Sequence, residues 1–387
     1  MGVGGSVRGA AAPVLIVLLA LLVAGCGGTD TAGPSAGSVD VAGARAQIAA
    51  FAAIPRFVAP GPAFDAASKL RGKTIFEIPI TSEVPFVGAV EHGMKEAAVE
   101  VGAELVVYSN QGTPSQWAQG IRTAISQRAA AITLFAQDPG VLGPQIDQAT
   151  KAGIPVIVLR TTGEGEDCQA DAHGKPYGTT CVPGPFEQAG RLEADWAISK
   201  SNGKADALVI TSNDARSTTP LMRGLRDEFS RRCPACTVTA LDVPIPQWAS
   251  RIGTAVQSAL VRDRKINLVI PIYDSMSQFV LPALRAAGAA DRVMIGTFNG
   301  TAFVLKLMQE GGVVAMDAGE DLSWLGWAAM DQAFRVIAGE KPVRSEHTPL
   351  RVFDDGNVGD AGHPPRQDAG YGHGYVDGYR KLWGVGG

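Results

Sequence analysis

A turn near residue 80 carries a hydroxyl, a carboxylate and an aromatic ring within five positions. Ser82, Glu83 and Phe86 follow the β-branched run 74–80 and precede an amphipathic segment. In an open parallel sheet, ligands bind beyond the carboxyl ends of the strands, where such turns lie. Side chains of these types can bind a ligand by hydrogen bonds and ring packing. The pattern therefore predicts a ligand-facing turn.

Motifs for catalysis are weak in this sequence. The segment Gly33–Gly37 (GPSAG) matches the G-x-S-x-G pattern of a nucleophilic serine. That pattern requires a turn between a strand and a helix, whereas Ser35 lies in a stretch with neither. No P-loop, strand-linked GxGxxG or HExxH motif occurs, and His347, His363 and His373 are scattered in an irregular region. We therefore expect no enzymatic activity, no cofactor and no metal site.

The N-terminal segment predicts export from the cytoplasm. Arg8 precedes an apolar run, residues 10–22, that is shorter than most membrane-spanning helices. The residues VAGC that end at Cys26 resemble the lipobox of bacterial lipoproteins. This resemblance implies a lipid on Cys26 and an extracytoplasmic protein that is anchored to the cell membrane. A simple secretory signal with an incidental cysteine is the alternative.

Four of the five cysteines form two close pairs in the sequence. Cys168 and Cys181 lie in one Gly-rich loop, and Cys233 and Cys236 form the motif R-R-C-P-A-C. A CxxC pair also occurs in zinc and redox sites, but no second CxxC and no His pair lies nearby. Because disulfides persist outside the cytoplasm, two local structural disulfides are the favoured interpretation.

The elements that position the ligand-facing turn repeat along the chain. Residues 73–108 have the pattern of a strand, a turn, a helix and a second strand, and this alternation continues to about residue 320. The triplet QWA at Gln116 and again at Gln247 begins the corresponding helix in each half. Two similar doubly wound, Rossmann-like α/β lobes are therefore predicted. The segment Thr161–Pro183 lacks periodicity and is predicted to be a long loop.

Length and charge narrow the class of protein. The chain has 387 residues, of which 46% are hydrophobic and 19% are charged, so more than one folded core is expected. Its net charge is -4, and no cluster of Lys and Arg is present. Because binding to phosphates requires a basic face, nucleic acid is not an expected partner.

Several longer segments resemble the type I periplasmic binding proteins of ABC importers, particularly the ribose-binding-like sugar branch. They are PITSEVPFVGAVEHGMKEAA, IPIYDSMSQFVLPALRAAG, IGTFNGTA and AMDAGEDLSWLGWAAMDQA with GEKPV after it. The resemblance covers about residues 73–350. It implies two lobes joined by a three-strand hinge, with crossings near residues 181–185, 320 and 343. It also implies a monomer that encloses a small-molecule solute and delivers it to an ABC transporter permease.

The expected organisation follows from these observations. It comprises a lipoprotein signal peptide (1–25), a tether (26–72), lobe one (73–183 and 320–342), lobe two (184–319 and 343–355) and a C-terminal tail (356–387). The tail contains Tyr371, Tyr375, Tyr379 and Trp383 among glycines. It is too aromatic for a solvated linker, so we expect it to dock on a lobe.

The resemblance implies a set of ligand-binding residues, matched by position. Aromatic rings would stack on the apolar faces of a sugar, and polar side chains would bind its hydroxyls. The set is Phe86, Phe135, Gln137, Asp138, Arg160, Thr219, Gln247, Tyr273, Asp274, Asn299 and Glu320. Simpler roles are packing at a helix start for Phe86, pairing with a loop acid for Arg160, and helix capping for Asp274, Asn299 and Thr219.

Three positions depart from the family pattern. Leu159, Thr219 and Tyr273 stand where the family usually has Asp, Arg and Asn. Acidic residues also outnumber Arg near the expected site. The sequence therefore predicts a sugar or sugar-like solute, with a polyol, an oligosaccharide, or a cationic or aromatic solute as alternatives. A ligand-sensing receptor is a further alternative, whereas export argues against a DNA-binding repressor of the same fold.

Overall fold

Two parallel sheets form the two lobes of the structure, a computed structural model that describes residues 1–2, 39–343 and 346–385. The predicted lipidation site Cys26 lies outside the described residues, as does most of the predicted signal peptide. Among the residues that are described, no helix combines the length and the apolar character needed to cross a membrane.

The sheet of lobe one contains five parallel strands in the order β2-β1-β3-β4-β5. They are β1 (Thr74–Pro79), β2 (Glu104–Val107), β3 (Ala131–Phe135), β4 (Val156–Gly163) and β5 (Thr180–Gly184). The sheet of lobe two has the order β11-β10-β9-β8-β6-β7, and only the pair of β10 with β11 is antiparallel. Its strands are β6 (Asp206–Thr211), β7 (Thr237–Asp242), β8 (Leu268–Pro271), β9 (Met294–Asn299), β10 (Val314–Glu320) and β11 (Leu350–Phe353).

Helices cover these sheets, as apolar strands that are buried on both faces require. They are α1 (Val41–Ala50), α2 (Ala66–Leu70), α3 (Pro85–Glu100), α4 (Pro114–Ser126), α5 (Gly143–Lys151), α6 (Phe186–Lys200), α7 (Thr218–Arg232), α8 (Gly253–Arg262), α9 (Ser277–Ala286), α10 (Ala302–Gln309), α11 (Leu322–Ala338) and α12 (Gly374–Leu382). A π-helical turn, Trp248–Ile252, precedes α8. The predicted alternation of strands and helices is confirmed.

Three covalent crossings join the lobes, at the places that the resemblance implied. The chain leaves lobe one between β5 and α6, and it returns after β10, when α11 packs on α3. It crosses again between α11 and β11. The helices α3 and α11 can approach closely because Gly93 has no side chain. A Cβ atom at this position would lie only 2.5 Å from the Ser323 carbonyl oxygen. This close packing fixes the start of α11 beside the middle of α3.

The segment Thr161–Pro183 is only partly a loop, and this corrects the sequence-based prediction. β4 continues to Gly163, and Thr180–Gly184 forms β5, which pairs with β4 in parallel. Cys181 and Val182 are buried in this strand. The strand is short and ends in Pro and Gly, so it lacks the apolar run by which the other strands are recognised.

Both predicted disulfides are present. Cys168 and Cys181 have Cα atoms 5.6 Å apart, and this bond ties the loop before β5 to the strand itself. Cys233 and Cys236 have Cα atoms 5.3 Å apart and lie in the connection from α7 to β7. Each bond closes a short local segment, as the sequence spacing suggested.

The described part of the predicted tether, residues 39–72, packs on both lobes instead of extending away from them. Helix α1 lies on α6 of lobe two, where Asp40 forms an ion pair with Arg232. The chain then passes to lobe one, where the ring of Phe57 contacts Trp324 on α11 at 5.7 Å. Phe64 and α2 follow and are buried against α11. Burial of these aromatic and apolar side chains stabilises the packed arrangement, because it removes apolar surface from water.

The C-terminal tail also docks on both lobes, as expected from its aromatic residues. On lobe two, the Gln309 amide donates hydrogen bonds to the carbonyl oxygens of Val358 and Gly362. On lobe one, α12 packs on α11, and the ring of Trp383 stacks on Trp327 at 5.2 Å. The N-terminal segment and the tail therefore add two further connections between the lobes to the three crossings of the hinge.

Trp383 is the residue whose removal best tests the docking of the tail. Its side chain is fully buried, and its Nε1 donates a 2.7 Å hydrogen bond to Asp331. We expect Trp383→Ala to lower the free energy of unfolding by about 3–5 kcal/mol, as measured by urea denaturation. Trp383→Phe keeps a ring but leaves Asp331 without this donor, so about 1–3 kcal/mol is expected. Wild-type stability for Trp383→Ala would show that the tail is not docked.

Candidate functional site

The carboxyl ends of the strands in the two lobes face one another across a cleft. A cavity of about 60 Å³, which we call the inner chamber, lies between them and is lined by side chains from both lobes. Its wall contains Ile80, Val84, Phe86, Val87, Phe135, Ala136 and Arg160 from lobe one, and Phe186, Ala215, Ser217, Ile245, Trp248, Tyr273, Ser275 and Asn299 from lobe two. The cavity thus lies where ligands bind in open α/β sheets.

Five of the residues implied by the resemblance meet at this chamber. They are Phe86, Phe135, Arg160, Tyr273 and Asn299. Phe86 is the second residue of α3, directly after the ligand-facing turn, and its ring lies 6.0 Å from that of Phe135 at the end of β3. Phe86 follows β1 and Phe135 ends β3, so the two residues are close only because β1 and β3 are neighbours in the sheet.

Arg160 and Glu320 form a buried ion pair that links the lobes. The Arg160 side chain is 4% exposed and the Glu320 side chain is 0% exposed, and their closest nitrogen and oxygen atoms are 2.7 Å apart. Glu320 ends β10 at the second crossing and also accepts a hydrogen bond from Thr348. Breaking such a pair by removing one partner strands a charge in a buried place.

Three aromatic rings surround the Arg160 guanidinium. Its Cζ lies 4.7 Å from the centre of the Phe186 ring, 5.6 Å from that of Phe86 and 5.9 Å from that of Phe298. A cation over the face of an aromatic ring is attracted by the ring quadrupole. The guanidinium is therefore held by one carboxylate and three rings, all supplied by the protein.

Strained backbone lies at the same place. Ala136, Arg160 and Asn299 have φ values of 71°, 58° and 143°, in the region that disfavours residues other than glycine. All three line the inner chamber. Such conformations persist where surrounding structure enforces them, and they cluster at functional sites.

Tyr273 and Asp274 follow β8, but their side chains point to different partners. The Tyr273 hydroxyl forms hydrogen bonds with Ser217 at 2.7 Å and Thr218 at 3.0 Å, and burial raises its pKa to about 12. Asp274 accepts a 2.7 Å hydrogen bond from the Thr301 backbone N–H, and burial raises its pKa to about 6. Asp274 is not part of the chamber wall; it joins the ends of β8 and β9.

Four other residues implied by the resemblance lie away from the chamber. Gln137 is buried and donates to the Ile78 carbonyl oxygen at 2.6 Å. Asp138 accepts from the Gly140 N–H and lies 3.9 Å from Arg216, a half-exposed pair between the lobes. Thr219 is exposed on α7. The Gln247 amide oxygen accepts from Arg251 at 2.6 Å, on the surface of lobe two.

Ten of the fifteen wall residues were not among the predicted site residues, and Phe186, Trp248, Ser217 and Ser275 are those with a ring or a hydroxyl group. Trp248 belongs to the second QWA triplet; it lines the chamber, and its Nε1 donates to Ser212 at 2.7 Å. Phe186 is the first residue of α6 after the first crossing. The repeat was a signal for Trp248, whereas nothing in the local sequence distinguishes Phe186 from a packing residue.

A larger cavity of about 240 Å³, the outer chamber, adjoins the inner one and shares Ile80, Val84, Ile245, Trp248 and Ser275 with it. Its wall adds Trp117 of the first QWA triplet and polar residues, which are Thr81, Glu83, Gln111, Asp214 and Gln278. Burial raises the pKa of Asp214. The wall contains two acids and no Lys or Arg, so it favours neutral or cationic groups over anions.

Among residues 39–343 and 346–385, no three His, Cys, Asp or Glu side chains lie together in an arrangement that could hold a metal ion.

Comparisons with known proteins fit this geometry. The sequence profile of the periplasmic binding protein domain matches residues 76–341. The ribose import binding protein RbsB of Escherichia coli K12 is 24% identical over 278 residues, which cover 71% of this chain and 88% of RbsB.

Two solved structures have a similar fold. One is a solute-binding protein of an ABC transporter from Agrobacterium vitis, bound with alpha-D-tagatopyranose, with a TM-score of 0.66 and 18% identity. The other is a carbohydrate transporter from Acidothermus cellulolyticus in complex with myo-inositol, with a TM-score of 0.63 and 22% identity. The superpositions cover 74% and 75% of this chain, and 96% of each of the other chains.

The ion pair of Arg160 with Glu320 can be tested by paired substitutions. We expect Glu320→Ala to lower the free energy of unfolding by about 3–5 kcal/mol, because the Arg160 charge stays buried without its partner. The double variant Arg160→Met with Glu320→Ala removes both charges, so it should be more stable than the single variant. Urea denaturation measures both.

A surface ion pair provides the matched control for these variants. Arg380 pairs with Glu100, and their side chains are 43% and 24% exposed. Arg380→Ala should cost only about 0–1 kcal/mol. Equal costs for Glu320→Ala and Arg380→Ala would contradict the conclusion that the pair between the lobes is structurally important.

Proposed function

Since this chain belongs to the periplasmic binding protein domain family, we propose that it is an extracytoplasmic solute-binding protein that delivers a small solute to an ABC transporter permease. The observation that carries this proposal is the inner chamber, whose wall is shared by strand ends of both lobes. A site divided in this way binds its ligand when the lobes close about the hinge. The protein is proposed to act by binding, without chemistry on the solute.

The proposed solute is a sugar or a sugar-like compound. RbsB is named for ribose import, and the two similar structures hold a ketohexose and a cyclitol. Supporting features in this chain are the aromatic rings of Phe86, Phe135 and Trp248, which suit the apolar faces of a sugar ring. Asn299, Ser275 and the residues of the outer chamber supply polar groups.

We propose that Phe86, Phe135, Arg160, Tyr273 and Asn299 touch the solute. Gln137, Asp138, Thr219, Gln247, Asp274 and Glu320 act as supports or lie outside the contact surface. The proposed lobe boundaries remain 73–183 with 320–342, and 184–319 with 343–355, except that Glu320 ends β10 and so belongs to the sheet of lobe two. Together these assignments describe a monomer whose ligand contacts come from both lobes.

The proposed anchor is a lipid on Cys26. The observation that motivates it is the apolar run 10–22 followed by VAGC. Replacement Cys26→Ala removes the acylated thiol, so the protein should move from the membrane fraction to the soluble fraction of the producing cells. Mass spectrometry of the wild-type N-terminal peptide should show acyl chains. A Cys26→Ala protein that still fractionates with membranes would refute the anchor.

A screen by thermal shift tests the proposed function. Sugars, polyols, amino acids and polyamines would be added singly to the purified protein. A ligand present at one hundred times its Kd adds about 2.7 kcal/mol to folding stability and raises the Tm. We expect a sugar or polyol to do so, and no binding by any of these classes would refute the proposal.

Variants then locate the site for the compound that binds. Phe86→Ala should weaken binding by about 1–3 kcal/mol through loss of a buried ring contact. Gln247→Ala should bind like wild type, because its side chain lies outside both chambers. The opposite result, with Gln247→Ala impaired and Phe86→Ala normal, would favour the assignment made by resemblance over that made from the structure.

A further inference from the structure

Exposed basic residues from distant parts of the sequence meet at the amino-terminal edge of the lobe two sheet, opposite the cleft. The helices α6, α7, α8 and α9 lead to this edge, and each has Lys or Arg in its last turn. The loops that follow these helices, and α1 beside them, add further cations. The exposed members of this group, which we call the basic pole, are Arg45, Lys200, Lys204, Arg231, Arg262, Arg264, Lys265, Arg285 and Arg292.

Hydrogen bonds hold the loops of the basic pole side by side. The Asn267 amide donates to the Lys204 carbonyl oxygen at 2.8 Å. The Arg292 guanidinium donates to the carbonyl oxygens of Arg264 at 3.2 Å and Ile266 at 2.6 Å. The loops before β6, β8 and β9 are therefore neighbours. The cations are dispersed in the sequence, so the fold alone brings them together.

Acidic residues are fewer at this part of the edge. Asp206, Asp263 and Asp291 lie among the cations. Two further acids, Asp40 and Glu228, form ion pairs with Arg232. Other acids lie beside β10 and β11, at the far end of the sheet order, and they are Glu310, Asp354 and Asp355. The chain as a whole has a net charge of -4, so the excess of acids lies away from the basic pole and the molecule is electrically asymmetric.

The N-terminal segment enters the folded body at the same pole. The Asp40 backbone N–H donates to the Arg232 carbonyl oxygen at 2.8 Å, beside the end of α7. The proposed lipid on Cys26 precedes Val39 by a short piece of chain, which can span at most about 45 Å. A protein anchored through Cys26 therefore keeps its basic pole within reach of the bilayer surface.

We propose that the basic pole binds the anionic phospholipid surface of the membrane that carries the anchor. This inference rests on the proposed extracytoplasmic, lipid-anchored function, and it adds a docking surface to it. Each Lys or Arg near an anionic bilayer strengthens binding by roughly fivefold. Because the anchor already confines the protein near the lipid, a weak attraction is enough to orient it. The cleft lies at the opposite ends of the same strands, so solute can still enter.

Binding of the protein without its lipid to vesicles tests this inference. The mature chain, residues 26–387 with Cys26→Ala, would be sedimented with vesicles of phosphatidylglycerol or of phosphatidylcholine. We expect binding to phosphatidylglycerol that is at least tenfold tighter than binding to phosphatidylcholine. It should be lost between about 0.01 M and about 1 M salt, because salt screens the attraction. Equal binding to the two lipids, or no binding to phosphatidylglycerol at low salt, would overturn the inference.

Charge reversal locates the contact surface. The triple variant Lys204→Glu, Arg264→Glu and Lys265→Glu changes three exposed side chains of the basic pole. We expect it to bind phosphatidylglycerol vesicles at least tenfold more weakly than the parent protein does. Its thermal unfolding should match that of the parent, because these side chains are exposed.

A control with the same change in net charge lies on lobe one. The triple variant Lys69→Glu, Lys73→Glu and Lys151→Glu also replaces exposed side chains. We expect its affinity for the vesicles to stay within about twofold of the parent value. Equal losses in the two triple variants would mean that total charge, and not the basic pole, controls binding, which would overturn the inference.

Two further outcomes separate this inference from its alternatives. Tighter binding to duplex DNA than to phosphatidylglycerol, at equal phosphate concentration, would assign the basic pole to nucleic acid and overturn a lipid partner. Vesicle binding needs no solute, so its failure would leave the solute-binding function standing. Vesicle binding by a protein that binds no solute would instead support the docking surface and refute the solute-binding function.

Discussion

The buried ion pair between Arg160 and Glu320 is the interaction on which the cleft depends. It joins Arg160, within β4 of lobe one, to the end of β10 in lobe two, at the point where the chain returns between lobes. A charged pair in such a place is stable only if both members keep their partners. The rings of Phe86, Phe186 and Phe298 complete the surroundings of the guanidinium, so rings from both lobes meet around this one ion pair.

The architecture could be predicted because buried parallel strands and amphipathic helices have distinct periods in the sequence. The location of the cleft followed from the strand ends, and Phe86 was predicted to face it because Phe86 lies in the turn after a predicted strand. Strand β5 was missed because Thr180–Gly184 carries no such period. The packing of residues 39–72 was missed because the partners of Phe57, which are Trp324 and Tyr379, are distant in sequence.

The direction of a polar side chain was the least predictable feature of the site. Asp274 and Gln137 have the right types and positions for ligand contact, yet each forms a hydrogen bond with a backbone group of the protein. The partners lie 27 and 59 positions away, so no local spacing reveals them. Resemblance to a family predicts where a residue lies if the backbone fold is shared. The hydrogen-bond partner of its side chain depends on other residues, and some of these, such as Tyr273, differ from the family pattern.

The two terminal segments that connect the lobes bear on how the protein uses binding energy. A hinge of three crossings can sample open and closed forms readily, whereas the packed segments around Phe57 and Trp383 must shift or detach when the lobes separate. Contacts that must break when the lobes separate favour the arrangement in which the lobes lie together, with or without a solute. The apparent Kd then approaches the intrinsic Kd of the closed form, because little free energy goes into closing. The same preference slows the exchange of solute. It also makes the shape of the solute-free protein similar to that of the solute-bound protein, so the transporter must distinguish the two.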